Sequence, residues 1–267
     1  MKYNVHFSKM SGTGNDFIVI DNRNNILTID PKEFAQKVCS RNRSVGADGV
    51  LLLENSGIAD FKMRIFNADG SEAEMCGNGI RCISKYAFYK EIVKSNMSIE
   101  TLAGIIHTEI LGENVKVKMT KPSNFKLNLK VSIADTQYEL HHVNTGVPHS
   151  VLFVEDTNKI DVHKLGRIIR LHSIFAPAGT NVDFVQIENE NKIKIRTYER
   201  GVEAETLACG TGAVASAIIS NLIKKTKFPT DVITSGKDTL FIHFNETNGD
   251  VFMEGDADLI CEGEVFI

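Results

Sequence analysis

The chain has 267 residues, and its 30 Lys and Arg against 34 Asp and Glu leave a net charge of -4 at pH 7. That balance gives no electrostatic footprint for nucleic acid or for an anionic membrane surface. Apolar residues make up 42% and charged residues 24%, ordinary globular usage that excludes disorder, collagen-like repeats and coiled coil. At about 150 residues per domain, the length fits two domains or one large one.

The N-terminal stretch MKYNVHFSKM alternates polar and apolar residues. It has no apolar core of the kind a secretory signal or membrane anchor needs. No later run approaches the ~18 apolar residues of a transmembrane span, so a cytoplasmic protein is expected. The five cysteines are Cys39, Cys76, Cys82, Cys209 and Cys261. An odd number with no Cys-x-x-Cys pair argues against a disulfide framework and a structural zinc site, so free thiols are expected.

In chain order, Val5 to Met10 reads as a strand, Gly12-Thr-Gly14 as a turn, and Phe17 to Ile20 as a second strand. Asp30-Pro31-Lys32-Glu33 is a helix start with Asp as cap, Pro at the first helical position and Glu reaching back. This helix should run to about Ser40. Val50 to Leu53 and Phe61 to Phe66 look like core strands. After Gly77-Asn78-Gly79 a helix is expected, with Ile80, Ile83, Ala87 and Phe88 on one face. Residues 98–154 read as short strands, with Thr120 to Asn124 as a linker. Asp161 to Ile174 reads as a helix, Val182 to Ile187 and Lys192 to Tyr198 as strands. Ala213 to Lys225 reads as an apolar helix ending before Pro229, and the chain closes in strands.

The most informative feature is an internal repeat. The segment from Arg64 through Glu72-Ala73-Glu74 to Cys76-Gly77-Asn78-Gly79 matches that from Arg196 through Glu203-Ala204-Glu205 to Cys209-Gly210-Thr211-Gly212, with one extra residue in the second copy. A weaker echo joins Gly12–Phe17 to Gly179–Phe184. The duplication predicts two similar lobes that face each other across a shared site.

Both repeated cysteines precede Gly-x-Gly and a predicted helix, where unpaired N–H groups and the positive end of the helix dipole gather. A free thiol has a pKa of ~8.5, and helix N-termini lower it. The same N–H groups suit a carboxylate or phosphate. Two such thiols fit one reaction well: one thiolate takes the α-proton of an amino acid, and the other thiol protonates the opposite face. The pair must then hold opposite protonation states. The remaining cysteines lack the Gly-x-Gly context, and Cys82 reads as core.

Ser11-Gly-Thr-Gly-Asn15-Asp16-Phe17, Phe66-Asn67-Ala-Asp-Gly-Ser71, Cys76-Gly77-Asn78-Gly79-Ile-Arg81-Cys82, Tyr198-Glu199-Arg200-Gly201 and Glu205-Thr-Leu-Ala-Cys209-Gly210-Thr211-Gly212 together resemble the diaminopimelate epimerase family, in order over nearly the whole chain. The resemblance implies an α/β (α+β) fold of two pseudo-symmetric lobes, each a mixed sheet wrapped around a central helix. The lobes would comprise residues 1–121, carrying Cys76, and 122–267, carrying Cys209, with the last strand a candidate to return to the first lobe. It also implies interconversion of LL- and meso-2,6-diaminopimelate, on the route to lysine and peptidoglycan. No cofactor, pyridoxal phosphate or metal is implied, and the partners are a small amino acid substrate and a second copy in a homodimer, with no nucleic acid or membrane.

By the same resemblance, Cys76 and Cys209 would be the acid and base, with His149 and Glu199 assisting proton transfer. The amides of Gly77-Asn78 and Gly210-Thr211 would hold the reacting carboxylate. Asn15, Asn67, Asn181, Glu199 and Arg200 would grip the substrate, Arg forking onto a carboxylate and Asn accepting from an ammonium. Three positions depart from the family. Val147 stands where many members have Asn, Gly49 where many have Gln, and the segment after Arg200-Gly201 is one residue longer. Three other readings remain: a proline- or histidine-type racemase using the same thiols, a thiol-disulfide redox protein, and a non-catalytic small-molecule binding module on the same fold.

Overall fold

In this computed structural model residues 4–267 are described, and the first three residues of the alternating N-terminal stretch lie outside them. The chain divides into two compact units. One comprises the described residues up to Val117 together with Gly255–Ile267, and the other Lys118–Glu254.

The first unit begins with β1 (Asn4–Gly12) and β2 (Asn15–Asp21), joined by a two-residue turn and paired antiparallel. Thr13 and Gly14 both have positive φ, the conformation of a hairpin turn whose twist matches its strands. Helix α1 (Pro31–Val38) follows, capped by the Asp30 carboxylate, which accepts from Lys32 N at 2.9 Å. Glu33 does not reach back to the cap; it pairs with Lys37 at 2.9 Å on the exposed face. The strand β3 (Gly49–Glu54) runs parallel to β2 and antiparallel to β4 (Phe61–Asn67), which pairs with the two-residue β5 (Glu72–Ala73). After helix α2 (Gly77–Tyr89), β6 (Asn96–Thr101) lies parallel to β4 and continues antiparallel into β7 (Gly104–Leu111) and β8 (Asn114–Met119).

Ile18, Val19 and Ile20 of β2 and Val50 to Leu53 of β3 are fully buried, as expected of parallel strands covered on both faces. On one face α1 places Phe34, Ala35 and Val38 among Phe7, Ile18, Ile20, Val50, Leu52 and Phe66. The other face wraps α2, whose residues from Asn78 to Ala87 are all buried. The single apolar face expected from Ile80, Ile83, Ala87 and Phe88 understates this burial. The polar side chains on the far side are satisfied internally, Ser84 by the Ile80 carbonyl at 2.7 Å and Lys85 by the Gly112 carbonyl at 2.9 Å.

The second unit repeats this order. Strands β9 (Ser123–Ile133) and β10 (Thr136–Asn144) pair antiparallel, and β10 pairs with β11 (Pro148–Phe153). The expected linker at Thr120–Asn124 shortens to three residues because β9 already starts at Ser123. Helix α3 (Val162–Arg170) is capped by Asp161 and stops four residues before Ile174, where a short 3-10 turn takes over. The strand β12 (Asn181–Asn189) runs parallel to β11 and antiparallel to β13 (Lys192–Glu199), which carries β14 (Ala204–Thr206). After helix α4 (Gly210–Leu222), β15 (Thr230–Ile233) lies parallel to β13 and leads into β16 (Thr239–Asn245) and β17 (Asp250–Asp256). Helix α4 is apolar on all sides and buried from Gly212 to Ser220, the pattern of a helix enclosed by its sheet.

The counterpart of β9 in the first unit is the last strand of the chain, β18 (Asp258–Phe266), antiparallel to β1. The duplicated ion pairs support the repeat but shift its alignment from Glu203 to Glu205: Arg64 meets Glu72, and Arg196 meets Glu205, each at 2.7 Å. Glu72 therefore corresponds to Glu205, and the extra residue falls in the turn before β14. The weaker echo between Gly12–Phe17 and Gly179–Phe184 joins non-equivalent places, since the first spans the β1–β2 turn and the second leads into β12, the counterpart of β3. Among the described residues, no helix is long and apolar enough to cross a membrane.

Helix α3 approaches β13 closely at Gly166, where an added Cβ would stand 2.5 Å from the Cβ of Tyr198 and 2.8 Å from its Cγ. Gly166→Ala gains about 1 kcal/mol of helix propensity but over-packs a buried contact, which costs about 1–3 kcal/mol and more when backbone must move. The expected result is a lower thermal midpoint by calorimetry; a higher midpoint would show that the two elements are not in contact there.

Candidate active site

Cys76 is the N-cap residue of α2, in extended conformation (φ -143°, ψ 122°), and its side chain makes no capping bond. Cys209 holds the same place on α4 (φ -129°, ψ 107°), again with no capping bond. The helices propagate directly from them, with Ile80 N donating to Cys76 O at 2.8 Å and Ala213 N to Cys209 O at 2.9 Å. The N–H groups of Gly77-Asn78-Gly79 and Gly210-Thr211-Gly212 have no acceptor within their helices. Each cysteine thus sits beside a set of N–H groups suited to a carboxylate.

Around Cys76, the thiol faces Asn15 Oδ1 at 3.8 Å. The Asn15 amide is held by Asp48 Oδ2 at 2.6 Å, which leaves its oxygen toward the sulfur. Arg41 bridges Asp48 and Asp16, at 2.7 Å to each. Burial alone would raise the Asp16 carboxyl, but hydrogen bonds from Arg41 and Lys9 outweigh it and hold it below the usual range. Asn78 is buried, and its side-chain oxygen accepts from Arg81 at 3.2 Å. The same guanidinium, itself fully buried, reaches the hydroxyl of Thr13 in the β1–β2 turn. Asn67 is exposed at the end of β4, its amide donating to Ser71 Oγ at 2.9 Å within a turn.

Around Cys209 the surroundings are drier and more acidic. The sulfur lies 3.5 Å from Thr211 Oγ1. That hydroxyl is 2.9 Å from His149 Nε2, and His149 Nδ1 is 2.7 Å from Asp183 Oδ2. His149 and Asp183 are completely buried on the adjacent strands β11 and β12. Asn181 bridges this group to the loop after β13. Its Oδ1 accepts from Arg200 N at 2.7 Å, and its amide nitrogen is 3.3 Å from His149 Nε2. The Arg200 guanidinium rests on the Ala178 carbonyl at 3.2 Å. Val147 offers its backbone carbonyl to Thr145 N at 3.1 Å.

Helix ends usually favour a thiolate, and the expectation was that both cysteines would benefit. At Cys209 the balance goes the other way. Burial pushes its thiol well above the usual range, and the carboxylates of Glu199 and Asp183 push it further. The polar groups of Thr211 and Gly212 near the sulfur oppose this only in part. Burial also raises the Glu199 carboxyl, against the pull of Thr206 and His149. Cys82 and Cys39 are buried, and burial lifts Cys39 to about 12; Cys261 is exposed.

Sequence reasoning missed Asp48 and Asp183. Asp48 sits in the loop before β3, within Gly46-Ala-Asp48-Gly49, and gave no local sign of contacting Asn15. Asp183 is a single acidic residue inside the apolar run of β12, and its partner His149 is 34 positions away. The fit of Asp183 depends on Gly212, where any Cβ would lie 2.5 Å from Asp183 Oδ1. The last glycine of Cys-Gly-x-Gly thus lets α4 settle on the buried carboxylate.

The family model described as diaminopimelate epimerase matches residues 7–125 and 141–260 of this chain. A diaminopimelate epimerase of Aquifex aeolicus is 46% identical over 276 aligned residues, covering 98% of each chain. One from Methanocella arvoryzae is 44% identical, covering 98% of this chain and 96% of its own. Among solved structures, a PhzF-family phenazine biosynthesis protein of Bacillus anthracis superimposes with a TM-score of 0.75 at 18% identity, covering 99% of this chain and all of its own. A hydroxyproline epimerase of Agrobacterium vitis does so with a TM-score of 0.72 at 12% identity, covering all of this chain and 94% of its own. At such identities these two likenesses show the shared fold.

The raised thiol at Cys209 gives a direct expectation. Alkylation follows the thiolate, so in the ligand-free protein Cys209 should react slowly at pH 7 and accelerate only as the pH becomes alkaline. Because the negative charge of Glu199 disfavours the thiolate, Glu199→Gln should move that rise to lower pH. Peptide mass spectrometry after timed iodoacetamide treatment reads both. Labelling of Cys209 at pH 7 as fast as that of exposed Cys261, or an unmoved profile in the variant, would contradict the electrostatic account.

Proposed function

This chain belongs to the diaminopimelate epimerase family, and on that footing we propose that it interconverts LL- and meso-2,6-diaminopimelate with Cys76 and Cys209 as the proton-transferring pair. The observation that carries this reading is that both cysteines are uncapped N-cap residues of the enclosed helices in two units of the same topology. A helix start that leaves its N–H groups open, next to a thiol, suits an amino acid whose carboxylate takes those groups while its α-proton is removed.

The chemistry follows from the residues. The α-proton of an amino acid is weakly acidic, and its removal places charge on the carboxylate. The amides of Gly77-Asn78 and Gly210-Thr211 stabilise that charge as it develops. Burial and the neighbouring carboxylates favour the protonated form of Cys209, which supports Cys209 as the proton donor with Cys76 as the base. Cys76 takes the proton from one face, and Cys209 delivers its own to the other, inverting the centre. In the reverse direction the roles exchange. No redox partner, pyridoxal phosphate or metal enters these steps. Arg200, with Asn15, Asn67 and Asn181, favours a substrate with a second charged amino acid end, since guanidinium pairs with a carboxylate through two parallel bonds. The Asn67 amide nitrogen donates to Ser71, which leaves its side-chain oxygen as an acceptor for the substrate's ammonium. The reading as a proline- or histidine-type racemase has no use for that distal group.

Purified protein without added cofactor is expected to convert LL-diaminopimelate to the meso isomer, followed by chiral chromatography, and to leave lysine, proline and glutamate unchanged. Cys76→Ala and Cys209→Ala should each lower kcat by roughly 10³-fold or more, as loss of an essential acid or base does. Turnover of proline in preference to diaminopimelate, or full activity in both variants, would overturn the proposal.

A further inference from the structure

The hydrogen bonds behind Cys209 have a defined direction. Asn181 Oδ1 is committed to the Arg200 N–H, so the amide nitrogen of Asn181 is the group that faces His149 Nε2. An amide nitrogen can only donate, and Nε2 must therefore accept. The proton of the neutral ring then lies on Nδ1, pointed at the buried Asp183 carboxylate. The Thr211 hydroxyl, with one proton to give, donates it to the same Nε2. Its oxygen is left as an acceptor for the Cys209 thiol. With Asn181 as donor to Nε2, these contacts fit one arrangement: Cys209 S–H to Thr211 O–H to His149 Nε2, with His149 Nδ1–H to Asp183.

We infer that Asp183 is a positioning residue for the reaction: it fixes the His149 tautomer so that Cys209 can hand its proton, through Thr211, to His149. The inference rests on the epimerase reading above. It addresses the direction in which Cys209 must act as base, when a buried thiol has first to lose its proton. In that step the Cys209 S–H bond breaks as an O–H bond forms on Thr211, while the original Thr211 proton passes to Nε2. The products are a thiolate and an imidazolium, and the imidazolium is paired with the Asp183 carboxylate. The reverse transfer restores the thiol.

The Asp183 carboxylate is itself fixed. Its second oxygen accepts from Thr197 Oγ1 at 2.8 Å, and α4 lies against it at Gly212. A carboxylate that orients an imidazole in this way controls which nitrogen is free to accept a proton. The arrangement gives Asp183 a function without contact to the substrate. It also accounts for a fully buried acid inside an otherwise apolar strand, where an unpaired charge would be strongly disfavoured.

The test combines a spectroscopic and a kinetic measurement. In ¹⁵N-histidine-labelled wild-type protein, the His149 signal, identified by its loss in His149→Gln, is expected to show a protonated Nδ1. Asp183→Asn should weaken that preference, lower kcat by about 10- to 100-fold, and leave KM within about 3-fold. Thr211→Val, which removes the relay hydroxyl and leaves β12 intact, should show the same split between kcat and KM, and Thr211→Ser should restore most of the rate. This pair carries the test if Asp183→Asn does not fold. A proton on Nε2 in the wild type, an unchanged kcat in Asp183→Asn or Thr211→Val, or a loss confined to KM would overturn the inference. The tautomer is read without substrate, so failure of the relay is distinguishable from failure of the epimerase reading, which appears as wild-type protein that does not convert LL-diaminopimelate.

Discussion

A helix enclosed by a sheet leaves the N–H groups of its first turn without intrahelical partners, and a Ser, Thr, Asp or Asn at the N-cap satisfies them at a gain of about 1 kcal/mol. Both enclosed helices of this protein begin instead with a cysteine whose side chain makes no such bond. The outer helices show that the chain uses ordinary caps elsewhere: Asp30 and Asp161 cap α1 and α3 through their carboxylates. Among the four α-helices of the described residues, the uncapped starts are therefore the two to which the proposed reaction assigns a carboxylate and a thiol together. The surrounding architecture serves to hold them rigid. Sheets covered on both faces bury α2 and α4, and glycine at the last position of Cys-Gly-x-Gly lets α4 sit against β12 without a clash.

The two sites differ despite their shared topology. Beside Cys76 the polar partners are Asn15 and an exposed charge network of Asp48, Arg41 and Asp16, in which cations balance the carboxylates. Beside Cys209 the carboxylates are Glu199 and Asp183, and the thiol is more deeply buried. Desolvation and negative charge act in the same direction on a thiol, both disfavouring the thiolate. A duplicated scaffold thus supplies two cysteines at the same helix-start position in unequal surroundings, an asymmetry that suits the proposed two-thiol proton exchange.

Much of this was legible in the sequence because it is written locally. Cys-Gly-x-Gly before an apolar run marks both enclosed helices, Asp-Pro marks α1, and the spacing from Arg64 to Cys76 and from Arg196 to Cys209 marks the duplication. What was not legible is what depends on distant strands coming together. The buried circumference of α2 could not be read from Arg81, Ser84 and Lys85, which look like a solvated face until their partners are known. The echo between Gly12–Phe17 and Gly179–Phe184 misled because Gly-Thr and Asp-Phe recur in different topological places. Asp183 carried no signal, since its meaning comes from His149 on the neighbouring strand. The same limit hid the raised proton affinity of Cys209: a helix start is visible in sequence, whereas the desolvation that overrides it is a property of the packed structure.

The central claim is that two different sulfurs, one giving and one taking, exchange protons with a single carbon. Initial-rate turnover of unlabelled LL-diaminopimelate in heavy water tests it most directly, with product and residual substrate separated and analysed by mass spectrometry before the reverse reaction contributes. The account predicts that every molecule of meso product carries one deuterium at the inverted α-carbon while unreacted substrate carries none. Product that keeps its original hydrogen at that carbon would mean that one group removes and returns the same proton, and would contradict the two-thiol mechanism.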